Sequence, residues 1–272
     1  NGAERPAPAE GNHATLNANG TGPYVLAQRD PGLQTVLEPF DGWWGDDRGN
    51  VTRGVFTPID NAATRVAALL SGEVEMVNPV PVQDAERIDA AEGVDLIRGT
   101  EARVIMYGFN QDRGTLYASE ADNPFTDPRV RQAVAHAINV PAILQTIMRG
   151  SAEPASQLVS DTMRGYTDGL DRPAHDPERA RELLAEAGYP DGFEFLLKCP
   201  NDRYINDEAV CQATVAMLAQ VGLTAQLDAI PVRNYWSQLR EDAYDMYLLG
   251  WSPGTFAAEH PFRFLVHTPQ DN

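Results

Sequence analysis

Lysine is nearly missing from this chain: Lys198 is the only one in 272 residues, and the other 20 basic side chains are arginines. Against 39 aspartates and glutamates, the formal net charge is -18. A surface of that sign repels nucleic acid and anionic lipid, so neither is expected as a partner. The same acid excess fits a saline habitat. No apolar run is long enough to cross a bilayer. Residues 1–20 are polar and do not read as a signal peptide, which leaves open one that is cleaved or encoded upstream. Cysteine is scarce too: Cys199 and Cys211 stand twelve apart and cannot make a four-ligand zinc site alone. They are either unpaired buried thiols or, in an oxidising compartment, a disulfide.

Signals for catalysis are equally thin. The five histidines (His13, His136, His175, His260, His267) include no i, i+4 pair, which argues against a zinc or nickel cluster. Ser156 and Ser160 lack the context of a nucleophile elbow. The Gly20-Thr21-Gly22 turn is followed by Pro23, which deletes a backbone donor, and by no lysine, so it is not a phosphate loop. The many carboxylates reflect an acidic surface rather than a general acid. We therefore expect a protein that is not an enzyme, with no cofactor and no resident metal.

What remains is an ordinary globular composition, 43% hydrophobic and 22% charged. The length suits one large or two ordinary domains. Short strands and helices alternate, the signature of an α/β sheet with crossovers. Strands are expected at Gln34–Phe40, Arg53–Phe56, Val74–Val77, Val94–Ile97, Arg103–Phe109, Phe193–Leu197 and Leu223–Leu227. Helices are expected after Asp60, over Gln83–Ala91, after Asp127-Pro128, over Pro141–Met148, after Asp176-Pro177, and over Asp207–Val221 and Pro231–Arg240. Residues 1–19 read as a flexible arm, and Ser151–His175 as a long loop held by packing. Trp43 and Trp44 share one loop, and two adjacent rings cannot both face inward, so one is expected to meet solvent or a lobe interface.

Tyr244–Gly254 organises the rest. It starts as an apolar strand at Met246 and Leu248, then runs into Gly250-Trp251-Ser252-Pro253-Gly254, which ends any ladder. Trp251 thus stands on a turn at the carboxyl end of a strand, where open α/β sheets bind ligands. The alternative is a ring that caps the local core.

Five segments, in order, resemble the solute-binding proteins of the peptide class, family 5, of bacterial ABC importers. They are Asn19–Tyr24, Ala68–Met76, Asn123–Ala133 continuing to Ile143, Asp176–Tyr189, and Tyr244–Trp251. The resemblance spans nearly everything from Asn19 onward. It implies an α/β, two-lobed periplasmic binding protein architecture of type II, incomplete in this chain. On that mapping, residues 20–109 are the central part of lobe I and 110–272 most of lobe II. It implies a receptor, periplasmic or lipid-anchored outside the cytoplasm, that closes two lobes on a small molecule or short peptide and hands it to the importer's permease. A ligand-sensing module of a regulator built on the same fold is the alternative. It places Trp251, the Gly250 and Ser252 backbone, Tyr107, Asn110 and Asn201 near the ligand; Arg203 and Tyr204 share the loop of Asn201. The chain departs from the dipeptide binders at Gly254, where they carry an acid for the ligand's amino terminus. Glu259 replaces that acid only if the loop is longer, so a sugar, an opine or another small solute stays open beside a peptide.

Cys199 ends an expected strand and Cys211 lies in the first turns of the next helix, so the intervening loop can fold back to join them. Closing about ten residues should stabilise the fold by roughly 2–3 kcal/mol on the chain-entropy account. Thiol alkylation without reductant should label neither cysteine in the folded protein. Two labelled thiols by intact mass would contradict the pairing.

Overall fold

The computed structural model describes residues 16–46 and 49–267; most of the arm expected over 1–19 lies outside them. The chain divides into two compact units between Val77 and Asn78.

In the first unit, β1 (Tyr24–Asp30), β2 (Gln34–Pro39) and β3 (Gly54–Phe56) form an antiparallel sheet in that order. Helix α1 (Ala62–Leu70) follows. Its N-cap is Asn61, not Asp60: the Asn61 carboxamide oxygen accepts from Thr64 N at 2.9 Å, and Asn61 is the last residue with extended backbone. Gly72, at φ 76°, turns the chain out of the helix, as its position suggests. Among the described residues of this unit, Val36, Val66 and Ala68 are the buried apolar side chains. Trp43 donates its indole N–H to Thr21 O at 3.2 Å, whereas Trp44 is 80% exposed.

Neither Val74–Val77 nor Val94–Ile97 forms a strand. An apolar run becomes a strand only with a hydrogen-bonding neighbour, and neither segment has one among the described residues.

The second unit is built on a mixed four-stranded sheet of β4 (Val104–Phe109), β5 (Phe193–Pro200), β6 (Leu223–Ile230) and β7 (Met246–Trp251), in the order β4-β7-β5-β6. β5 and β6 run parallel through eight paired positions, from Phe193↔Leu223 to Pro200↔Ile230. β4 runs antiparallel to β7, with Val104 opposite Trp251 and Phe109 opposite Met246. That pairing draws β4 into the second unit, so the compact units part well before residue 109. A short α2 (Ala85–Asp89) precedes β4.

Helices α3 (Pro128–Ala137), α4 (Val140–Thr146), α5 (Pro177–Glu186) and α6 (Asp207–Ala219) contribute to one core with Phe125 and the sheet residues Phe195, Leu197, Met246 and Leu248. The two cap-plus-proline signals are realised: Asp127 accepts from Arg129 N and Asp176 from Arg179 N. Side chains alternate along a strand, so Lys198, between Leu197 and Cys199, points the other way. There its ammonium meets Asp228 and Gln238 of α7 (Val232–Arg240), which places α7 on the opposite face. The expected strand ends at Leu197; the observed one continues to Pro200 because this buried lysine is paired.

Asp245 pins three segments. Its carboxylate accepts from Leu196 N at 2.8 Å and from Tyr117 N, and its carbonyl accepts from Asn110 N at 2.9 Å. Asp245 is only 1% exposed, so losing the carboxylate strands two backbone donors. Asp245→Ala should destabilise by roughly 1–3 kcal/mol for each stranded donor, and Asp245→Asn by less, since it keeps one acceptor. Urea unfolding of both variants checks the order.

Burial also holds the phenols of Tyr107, Tyr235, Tyr244 and Tyr247 above their ordinary pKa. A raised folded-state value means the stabilisation is intact below the unfolded phenol pKa of about 10 and is lost as pH climbs through it. Urea midpoints should hold up to about pH 9.5 and fall beyond about 10. Tyr235→Phe should flatten the fall.

Candidate functional site

The connections define a crevice. β5 leads through α6 on one face to β6, and β6 leads through α7 on the other face to β7, which lies on the far side of β5. The strand order therefore steps from β5 to β6 on one side and back across β5 to β7 on the other, and in open α/β sheets ligands bind outside the carboxyl ends of the strands where the order reverses. β5 and β7 pair only through Leu197↔Met246 and Lys198↔Tyr247, and then part.

Two tyrosines take over where the ladder stops. Asn110 N donates to Asp245 O, so odd-numbered carbonyls of this segment face β4 and even-numbered ones face β5. Of the even ones, Leu248 O accepts from Tyr235 on α7, and Gly250 O accepts from Tyr204 Oη at 3.2 Å. Tyr204 comes from the loop after β5. A Cβ at Gly250 would lie 2.5 Å from Tyr204 Cε1 and 2.7 Å from Ile105 Cδ1, so only glycine lets that ring lie against the strand.

That loop is braced. Asp207, 4% exposed, accepts from Arg203 N and Tyr204 N at 2.9 Å each and from Glu208 N at 3.0 Å. Burial pushes its carboxyl pKa up, against the pull of those three donors. Asn201 N donates to Ile230 O, and Asp202 accepts from Val232 N. Beneath the loop, Cys199 and Cys211 are joined as a disulfide with both residues fully buried.

On the β7 side, Trp251 is half-buried and stacks near His260 and Phe264, with ring centroids 5.5 and 6.1 Å away. Its indole N–H is buried and has no acceptor among the described residues. His260 Nδ1 accepts from Gly254 N at 3.3 Å, which closes the turn after β7 onto the short helical segment Glu259–Pro261. Gly254 is thus packed against His260, and Glu259 lies 3.7 Å from Arg263. Ser252 Oγ accepts from Arg103 Nε at 3.0 Å, while the Arg103 and Arg203 guanidiniums lie 5.7 and 5.3 Å from the Tyr204 ring centre. The loop over 151–175 has no helix or strand. It is anchored to the same turn, with Arg164 N donating to Phe256 O and Ala258 N to Arg164 O.

Of the residues expected at the ligand, the structure places Gly250, Trp251 and Ser252 consecutively at the end of β7, and Asn201 just past the end of β5, where its N–H is bonded to Ile230 O of β6. It sets two others apart. Tyr107 faces α6: its hydroxyl donates to Thr214 Oγ1 at 2.8 Å and its ring packs on the core. Its strand position aims it at the same face as Leu248. Asn110 lies at the opposite end of β4, six residues or about 20 Å from the Trp251 level. There it is 5% exposed and organises a loop, accepting from Asp112 N and Arg113 N. Sequence reasoning missed Arg103, Asp207 and His260. A glycine within a strand signals close approach of another group, and this one fits under Tyr204; nothing in the sequence singled out His260. Among the described residues, no group of three or more His, Cys, Asp or Glu could hold a metal ion.

The family profile described as "Bacterial extracellular solute-binding proteins, family 5 Middle" matches residues 3–272. The glutathione-binding protein GsiB of Escherichia coli K12 is 29% identical over 245 residues, covering 88% of this chain and 46% of GsiB. This chain thus spans about half the length of the curated relatives it matches. The periplasmic binding protein DppA of Helicobacter pylori, solved with peptide STSA, superposes with a TM-score of 0.80 at 22% identity, over 89% of this chain and 45% of that one. The binding protein AgaA of A. tumefaciens R10, solved with agropinic acid, gives a TM-score of 0.77 at 27% identity, over 92% and 50%. The fold is that of the periplasmic binding proteins.

Proposed function

The chain belongs to family 5 of the bacterial extracellular solute-binding proteins, and from that premise we propose that it is part of an extracytoplasmic receptor delivering a small solute or short peptide to the permease of an ABC importer. The observation that carries this reading is the crevice between the ends of β5 and β7, flanked by Trp251. Such a crevice binds by shape and a few fixed polar groups and needs no catalytic group. Trp251, Ser252 and Asn201 are its proposed contacts, with Gly250 shaping the wall. We assign the first compact unit to lobe I and the second to lobe II. The buried disulfide supports an oxidising, extracytoplasmic setting, and GsiB, DppA and AgaA carry names of binding proteins. No helix among the described residues is long and apolar enough to cross a membrane.

Trp251 offers an aromatic face at low entropic cost, and covering it with a solute should be worth about 1–3 kcal/mol. Native mass spectrometry of the full-length gene product from its own host should show a co-purifying solute. Trp251→Ala should weaken that binding at least tenfold, while costing less stability than the roughly 3–5 kcal/mol of a buried tryptophan. Unchanged affinity with a large stability loss would assign Trp251 to the core.

A further inference from the structure

We propose that Tyr204 is a specificity-determining residue: it holds the Gly250 carbonyl against the main chain of an extended peptide and so turns the crevice toward short solutes. The inference rests on the crevice being the solute site.

The even-numbered carbonyls of β7 beyond the last β5 pair are the acceptors that an added strand would use. They are closed in different ways. Leu248 O is sealed by Tyr235, which is fully buried, so that acceptor is permanently occupied. Gly250 O is closed by Tyr204, which is half-buried, through a bond of 3.2 Å, long for a hydroxyl donor. Tyr204 also covers the face of Gly250, because its ring sits where a Cβ on Gly250 would be. An extended peptide that pairs with Gly250 O along β7 must therefore displace the Tyr204 hydroxyl.

That displacement is opposed. The Tyr204 backbone is tied to buried Asp207, its loop is fastened beneath by the Cys199–Cys211 bridge, and two guanidiniums lie near its ring. A compact solute that uses no main-chain acceptor on β7 leaves Tyr204 in place. The turn Ser252–Phe256 also contains no acid to neutralise a peptide ammonium, and Glu259 lies 3.7 Å from Arg263. An unpaired ammonium in a closing crevice is costly. Main-chain recognition at β7 is thus disfavoured by the occupied acceptor and by charge.

The test compares the full-length wild-type protein with Tyr204→Phe and Tyr204→Ala. The probes are the tetrapeptide Ser-Thr-Ser-Ala, as the extended ligand, and agropinic acid and reduced glutathione, as compact ones, with affinities from calorimetry. Tyr204→Ala frees the carbonyl and removes the ring over Gly250, and should raise the tetrapeptide affinity relative to that for a compact probe at least fivefold. Tyr204→Phe frees only the carbonyl and should move the ratio the same way by less; it carries the test if the alanine variant does not fold. Tetrapeptide binding by a variant but not by the wild type would also support the gate. An unchanged or reduced ratio, with binding intact, would overturn the gate and leave the solute-receptor reading standing. No binding of any probe by any of the three proteins would contradict the gate, because removing Tyr204 would then admit no peptide, and it would leave the receptor reading to the co-purified solute.

Discussion

Beyond Tyr247, strand β7 loses its partner on the β5 side, and the candidate site depends on that parting. A strand edge inside a domain must have its carbonyls satisfied, because an unpaired buried acceptor costs about as much as a lost hydrogen bond. Here the acceptors are met by Tyr235 from one face of the sheet and Tyr204 from the other. The strand can then end in a turn instead of a further ladder, which lifts Trp251 to the rim. Gly250 is the residue on which this turns, since any side chain there would push Tyr204 away.

The supports of this arrangement lie behind it. Asp245 ties the start of β7 to β5 and to the chain after β4, and Lys198 pairs with Asp228 and Gln238 on the α7 face. The disulfide and Asp207 hold the loop after β5 from below and from its end. The loops over 200–206 and 251–258 therefore leave the ends of β5 and β7, each held by hydrogen bonds, above a well-packed α/β core. Such preorganisation suits a receptor, because binding then orders few further groups.

Much of this was legible in the sequence because the relevant signals are local. Asp127-Pro128 and Asp176-Pro177 start helices by the physics of capping, and Met246–Trp251 is a strand by alternation ended by glycine and proline. The family segments identified the class from the same residues. What misled were features decided by partners distant in the chain. Val74–Val77 and Val94–Ile97 carry the composition of strands but have no neighbour to pair with among the described residues. Tyr107 lies on β4 and Asn110 just past its end, yet alternation turns one to the core and strand length carries the other to the far end. Tyr204 reaches Gly250 across 46 positions, a contact that no local pattern encodes.

The central claim is that solute binds where β5 and β7 separate. Hydrogen–deuterium exchange on the full-length protein, with its co-purified solute and after stripping it, measures this most directly. The account predicts that solute slows exchange at residues 200–207 and 248–258 and leaves the Asn110–Asp122 end of the sheet unchanged. Protection confined to that far end, with the 200–207 and 248–258 segments indifferent to solute, would contradict it.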